Sequence, residues 1–207
     1  ENELEETKKR NERIAQKGIR FIDVGISGGP GGALNGACLM VGGEKELFDL
    51  LHPLFIDMAQ KDAVAHFEGI GAGHFVKMVH NGIEYGMMQA IAEGFEILKK
   101  TPYALNLKEV SRIYNNGSVV ESRLTRWLED GFNAFGQDLE AVSGVVPRGG
   151  EGDWTVETAK KLGVAAHVIE ASVQARMDSE KENTFEDKVV NTMRNQFGGH
   201  SIDKPAK

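Results

Sequence analysis

The segment between Gly73 and Lys100 most constrains the fold, because it contains no proline and repeats apolar residues at helical spacing. Pro102 follows it, and proline disfavours helical backbone in the residue before it. The sequence therefore predicts one helix that ends near Lys100, well above the average helix length of about 11 residues. The rest of the chain is organised around this helix.

One face of the predicted helix carries polar side chains of several kinds. They recur at positions i, i+3, i+4, i+7 and i+8, with Met88 at i+11: Lys77, His80, Asn81, Glu84 and Tyr85. Most charged helical faces are solvated surfaces, and such faces repeat Lys, Glu, Gln and Arg. Here each polar type occurs once, so we interpret the stripe as a functional site and keep the solvated surface as the alternative.

Composition excludes several classes of protein. The net charge of -7 argues against a general nucleic-acid or anionic-membrane surface. The single cysteine, Cys38, cannot form an intramolecular disulfide, which favours a reducing compartment and a cytoplasmic location. No apolar run approaches the ~18 residues of a membrane span, and the acidic start is not a signal peptide. A first residue other than Met, inside a helical pattern, suggests a piece of a longer protein.

Upstream of the long helix the pattern is mixed. A charged helix over residues 1–17 precedes a short strand over residues 19–24, and a glycine-rich segment over residues 25–36 follows. We expect that segment to be an ordered loop whose backbone N–H groups can face an anion. It lacks the G-x-G-x-x-G fingerprint with its flanking strand, helix and acidic residue. A strand, a helix over residues 44–60 with a kink at Pro53, and a last strand over residues 63–67 complete this part.

Downstream of residue 68 the pattern is wholly helical. After the long helix we predict five more: 106–115, 119–130, 154–162, 165–179 and 184–196. The sequence thus predicts two domains, a small α/β piece over residues 1–68 and an all-helical domain over residues 69–207. The fold class is mainly α.

Two motifs resemble known signatures. Asp23-x-x-x-Ser27-Gly28-Gly29 resembles the substrate-loop signature of β-hydroxyacid dehydrogenases, and Gly71-x-Gly73-x-x-x-Lys77-x-x-x-Asn81 resembles their catalytic-helix signature. The string from His74 to Tyr85 is similar to the decarboxylating 6-phosphogluconate dehydrogenase family, and the spacing resembles its compact form. Further segments are similar to later parts of that family: Gly152-Asp153-Trp154-Thr155, Ala175-Arg176 and Arg194–His200.

The resemblance implies a helical dehydrogenase domain preceded by the last α/β elements of a Rossmann-type domain, whose earlier part is missing here. It implies oxidation of 6-phosphogluconate by NADP or NAD, with loss of CO2 to give ribulose 5-phosphate. Such a reaction needs a base for the hydroxyl proton and an acid to protonate the enediol. Lys77 is the predicted base and Glu84 the predicted acid. An unperturbed lysine has a pKa of about 10.4, so the site must lower the pKa of Lys77.

The same resemblance implies the substrate-binding residues. Ser27, Gly28, Gly29, His80 and Asn81 would hold the carboxylate and inner hydroxyls. The residues implied for phosphate are Tyr85, Arg176, Arg194 and His200, with Arg148 a candidate substitute for a phosphate-binding lysine of the long form. A guanidinium fork suits a phosphate dianion well. The histidines do not have the paired spacing of a zinc site, so we expect no metal site.

Assembly and two alternatives remain open. We expect a homodimer in which an exchanged C-terminal tail brings Arg194 and His200 to the partner's phosphate site. One alternative is another β-hydroxyacid dehydrogenase with an unphosphorylated substrate, which would keep Lys77 and Asn81 without needing Glu84. The other is a substrate-binding and dimerisation fragment that is not catalytic by itself.

Overall fold

The computed structural model describes residues 3–147 and 149–203. It contains two compact units, of which the first ends at Asn81 and the second begins at Gly82. This division falls inside helix α4, which spans Ala72–Lys100. The bounds of α4 confirm the predicted long helix. The predicted domain boundary between residues 68 and 69 lies at the end of the last strand and stays a prediction.

The first unit is an α/β structure. In chain order it contains α1 (Glu3–Ala15), β1 (Ile22–Ser27), α2 (Gly29–Asn35), β2 (Ala37–Gly43), α3 (Lys45–Met58) and β3 (Ala59–Glu68). The strands pair in the order β1-β2-β3, with β1 antiparallel and β3 parallel to β2. A parallel pair needs a crossover, and α3 supplies it. Leu39 and Val41 of β2 pack against Phe48 and Phe55 of α3.

The prediction of a glycine-rich loop over residues 25–36 is wrong for most of its length. Strand β1 continues to Ser27, and α2 occupies the segment from Gly29 onward. Gly28 has a φ of 133°, a value that L side chains rarely adopt, and it turns the chain from strand to helix. Pro30 fits the first helical turn, where its missing N–H loses no partner. Because this segment has low helix propensity, the sequence did not indicate a helix there.

The described part of the second unit is helical. It contains the remainder of α4 and then α5 (Leu107–Tyr114), α6 (Arg123–Phe135), α7 (Glu151–Lys161), α8 (His167–Glu182) and α9 (Phe185–Gly198). Side-chain caps define several starts. The Asn106 side chain accepts from the first backbone N–H groups of α5, Ser122 does the same for α6, and Thr184 opens α9 with a capping box. Side-chain caps thus mark the starts of three of the five helices predicted after α4, while α7 and α8 begin without one.

One core holds the second unit together. Met88 and Phe95 of α4 pack with Leu128 and Phe132 of α6 and with Met193 of α9. Met88 is 1% exposed, so it belongs to the core although its spacing placed it on the polar stripe. The mainly α fold, an all-helical domain after a small α/β piece, is confirmed. Among the described residues, no helix is both long and apolar enough to cross a membrane.

Candidate active site

In the first unit, three side chains of the predicted stripe form a hydrogen-bonded chain with a strand residue. The Lys77 amine donates to the Asn81 side-chain oxygen. Nδ1 of His80 lies 3.0 Å from the same oxygen, and Nε2 of His80 lies 3.1 Å from Oγ of Ser27. A carboxamide oxygen only accepts, so Nδ1 of His80 carries a proton, and in a neutral ring Nε2 then accepts from the Ser27 hydroxyl. The structure therefore brings Lys77, His80, Asn81 and Ser27 together.

These hydrogen-bonded side chains can bind a substrate that carries hydroxyl groups. Lys77, His80 and Asn81 are each partly buried on α4, so the amine is held in an oriented position that solvent still reaches. An amine can accept a proton when neutral and donate a hydrogen bond when charged. Gly28 and Gly29 follow Ser27 directly at the start of α2. The arrangement can bind hydroxyls and move a proton at the Lys77 nitrogen.

Asp23 is the first residue of the substrate-loop motif, but the sequence assigned it no role in the site. Asp23 is 2% exposed, and its carboxyl group accepts from the backbone N–H groups of Gly71 and His74, at 2.6 and 2.8 Å. It therefore caps the start of α4 from strand β1. The available signal was a carboxyl inside an otherwise apolar strand, because Asp is rarely buried without partners.

In the second unit, Arg176 of α8 is stacked on Tyr85 of α4. The guanidinium carbon lies 3.3 Å from the centre of the tyrosine ring, a cation–π contact. Arg176 is 4% exposed, and among the described residues its Nη2 has no hydrogen-bond partner. Burial lowers the pKa of the Arg176 guanidinium to about 10. A buried cation with an unused donor is a natural ligand for an anion.

Arg194 and His200 share the electrostatic environment of Arg176. Arg194 of α9 is 8% exposed and donates to the Asn191 side chain at 3.0 Å, and burial lowers its pKa. Burial, followed by the charges of Arg194 and Arg176, lowers the pKa of His200. The negative charge of Glu84 acts in the opposite sense on both arginines. The structure thus groups Arg176, Arg194, His200, Tyr85 and Glu84 within one chain, with an excess of positive charge.

Tyr85 is fixed by neighbours that sequence reasoning did not assign. Its hydroxyl donates to the Gly149 carbonyl oxygen at 3.2 Å, and burial raises its pKa, which keeps the hydroxyl protonated. A Cβ on Gly152 would lie 2.3 Å from the tyrosine ring, so only glycine lets α7 approach this closely. Gly152 belongs to a segment that the resemblance matched, but its contact was not predicted. Arg148 lies outside the described residues.

Comparisons with known proteins agree with this architecture. The family model described as 6-phosphogluconate dehydrogenase, C-terminal domain, matches residues 73–204. The model described as the NAD binding domain of 6-phosphogluconate dehydrogenase matches residues 2–71.

Individual relatives point the same way. A Bacillus subtilis protein provisionally named 6-phosphogluconate dehydrogenase is 44% identical over 96% of this chain and 67% of its own length. The NAD(+)-dependent, decarboxylating 6-phosphogluconate dehydrogenase of Haloferax volcanii is 41% identical over 88% of this chain and 61% of its own length. The Plasmodium falciparum 6-phosphogluconate dehydrogenase structure, at a TM-score of 0.75 and 26% identity, aligns with 99% of this chain and 45% of that one.

Proposed function

Because the chain belongs to the 6-phosphogluconate dehydrogenase family, we propose that it is the catalytic and substrate-binding portion of an enzyme that oxidises and decarboxylates 6-phosphogluconate. The products are ribulose 5-phosphate, CO2 and reduced NADP or NAD. The chain spans between 45% and 67% of the relatives described above, so this activity is proposed for the full-length protein. The buried Nη2 of Arg176, which has no hydrogen-bond partner among the described residues, carries the proposal, because an unphosphorylated substrate would leave it without an anion.

In this proposal Lys77 acts at the substrate hydroxyl. Its neutral amine accepts the hydroxyl proton during oxidation, and the resulting ammonium then donates a hydrogen bond to the new ketone. A polarised ketone lets the carboxylate leave as CO2, because the electron pair of the broken C–C bond passes into an enediol as the Lys77 ammonium returns its proton to the ketone oxygen. Asn81 supports this role since its oxygen orients the Lys77 nitrogen. Glu84 then protonates the enediol at carbon while neutral Lys77 takes the hydroxyl proton, which leaves the ketone of ribulose 5-phosphate.

In this proposal the residues of each unit bind a different part of the substrate. In the first unit Ser27, His80 and Asn81, with the backbone of Gly28 and Gly29, would hold the carboxylate and inner hydroxyls. In the second unit four side chains would hold the phosphate: Tyr85, Arg176, Arg194 and His200. Two buried guanidinium groups, neither of which bonds to a carboxylate of the described residues, support the phosphate assignment. Burial and then the charges of Arg194 and Arg176 lower the pKa of His200, which indicates that its ring lies near both guanidinium groups, and a bound dianion would favour its protonated form.

The cofactor residues are not assigned to this chain. Among residues 3–147 and 149–203, no strand–turn–helix connection carries the G-x-G-x-x-G pattern that cradles a pyrophosphate. The segment between β1 and α2 places Gly28 and Gly29 next to Pro30 instead. The proposed cofactor, NADP or NAD, would supply the hydride acceptor for the oxidation. The single Cys38 supports a reducing compartment and thus the proposed cytoplasmic location.

Substrate comparison tests the proposal. The full-length protein should release CO2 from 6-phosphogluconate and act on gluconate with a kcat/KM lower by about 10²-fold or more, because gluconate leaves the buried cations unpaired. Equal turnover of both acids, or oxidation without CO2, would instead favour another β-hydroxyacid dehydrogenase. A full-length protein with no turnover on either acid would favour a binding role alone.

We also propose a homodimer with exchanged C-terminal tails, which rests on the family resemblance. The contacts within one chain support the alternative of a phosphate site built in a single subunit. Val189, Val190 and Met193 of α9 are buried in the core of their own unit, and Arg194 lies near Arg176 of the same chain. These apolar residues therefore do not need a partner surface.

Mixing two inactive full-length variants distinguishes these arrangements. Arg194→Ala removes one phosphate ligand and Lys77→Met removes the base, so each homodimer should be inactive. With exchanged tails, a heterodimer keeps one complete site and should recover about half of the wild-type activity per dimer. Formation of heterodimers is verified with two affinity tags. Heterodimers that form and stay inactive would show that each site is built within one chain.

A further inference from the structure

The start of α4 is fixed to the sheet by a set of residues outside the proposed chemistry. We call Asp23, Gly25, Gly42 and Gly73 the α4 clamp. Asp23 of β1 accepts from the N–H groups of Gly71 and His74, across 48 and 51 positions of sequence. The first N–H groups of a helix have no partner within the helix, so a buried helix start needs such an acceptor. The carboxyl group thus fixes where α4 begins relative to β1.

The glycines of the α4 clamp let the helix lie directly on the strands. A Cβ on Gly73 would lie 2.3 Å from the Met40 carbonyl oxygen and 2.6 Å from the Gly42 nitrogen. A Cβ on Gly42 would lie 2.4 Å from the Gly73 nitrogen and 2.6 Å from Oδ1 of Asp23. Asp23 and Gly42 are directly paired across β1 and β2, so the missing side chain at Gly42 makes room for the carboxyl group. Helix and sheet meet here backbone to backbone.

The α4 clamp reaches Lys77 itself. A Cβ on Gly25 would lie 2.4 Å from Cβ of Lys77 and 2.8 Å from the Gly73 carbonyl oxygen. The base of the lysine side chain therefore rests on β1, two residues before Ser27, which bonds His80. Any shift of α4 along or away from β1 moves Lys77, His80 and Asn81 together relative to Ser27. A displacement of about 1 Å at a reacting group can slow a reaction about 10²-fold.

We propose that Asp23 is a positioning residue for Lys77, and that the glycines of the α4 clamp set the distance between α4 and the two strands β1 and β2. This inference rests on the proposed function, in which Lys77 is the base. Asp23 acts through the helix start and does not touch the substrate. A purely structural cap would change stability alone, whereas a positioning residue changes kcat in a protein that stays folded.

The test replaces Asp23 by Asn and by Ala in the full-length protein. Asp23→Ala removes both acceptors, so amide hydrogen exchange at Gly71 and His74 should rise about tenfold or more, and kcat should fall about 10²-fold. KM should change less than threefold, because Arg176 and Arg194 are untouched. Asp23→Asn keeps one oxygen acceptor but turns an NH2 donor toward the other N–H group, so its kcat should lie between those of the wild type and Asp23→Ala. The exchange measurement does not depend on activity, so it distinguishes failure of this inference from failure of the proposed function.

A second variant guards against an Asp23 variant that does not fold. Gly25→Ala leaves the cap intact but pushes against Lys77, and it should also lower kcat with little change in KM. Gly94→Ala is the matched control, because it lies on α4 with nothing within 4 Å of the new Cβ. Unchanged exchange at Gly71 and His74 in Asp23→Ala would overturn the inference. So would a kcat for Gly25→Ala equal to that of Gly94→Ala.

Discussion

Replacing Lys77 by Met in the full-length protein is expected to abolish oxidation of 6-phosphogluconate. Methionine keeps the length of the side chain but cannot accept a proton or donate a hydrogen bond. A general base contributes about 10²–10⁴-fold to rate, and Lys77 is proposed to act in both the oxidation and the decarboxylation. The loss should therefore lie at the upper end of that range. Single-turnover reduction of the cofactor measures it directly.

Glu84→Gln is the partner experiment for Lys77→Met. Glutamine cannot supply the proton that the enediol needs, so a first turnover of cofactor reduction should survive while steady-state turnover falls. Binding of 6-phosphogluconate, measured by calorimetry, should persist in Lys77→Met because the proposed phosphate ligands remain. An undiminished oxidation rate in Lys77→Met would exclude the base assignment. A Glu84→Gln variant that loses the first turnover would place Glu84 earlier in the reaction.

Arg176→Met is expected to give the second large effect. Methionine fills part of the buried space but leaves a bound phosphate without the guanidinium of Arg176. Removing one member of a buried, hydrogen-bonded charge pair costs about 2–5 kcal/mol. The kcat/KM for 6-phosphogluconate should therefore fall by roughly 30-fold or more, mainly through KM. Arg176→Lys should restore little, because an ammonium cannot form the two parallel hydrogen bonds of the guanidinium fork.

The specificity of the Arg176 effect depends on two controls. Activity on gluconate should change little in Arg176→Met, since that substrate has no phosphate to lose a partner. Arg112→Met is the matched variant: Arg112 is exposed and its side chain bonds to Glu109 of the same helix, so this variant should lose little activity. Equal losses on both substrates would show that Arg176 supports the fold of the second unit and does not bind phosphate.

The sequence contained enough information for the long helix and for part of the site. Lys77, His80 and Asn81 lie within one helical turn of one another, so helical spacing alone brings them together. The observed hydrogen bonds among them confirm that spacing. Ser27, by contrast, could be assigned only through the family resemblance. Its contact with His80 spans 53 positions, which no local pattern reports.

The missed features depend on tertiary packing. Helix α2 has a segment of low helix propensity and forms where Gly28 and Pro30 allow it. Asp23 caps helix α4 from strand β1, which lies far from it in the sequence. Tyr85 of α4 stacks on Arg176 of α8, which is also distant in the sequence. Periodicity identifies the face of a helix but not the residue that will meet it. These contacts needed the three-dimensional structure.

The ratio of CO2 released to cofactor reduced is the measurement that tests the central claim most directly. In a single turnover of the full-length protein with 6-phosphogluconate, the proposed mechanism predicts one CO2 for each reduced cofactor, with ribulose 5-phosphate as the other product. Reduced cofactor without CO2, and an unreleased keto acid in its place, would contradict oxidative decarboxylation as the function of this chain.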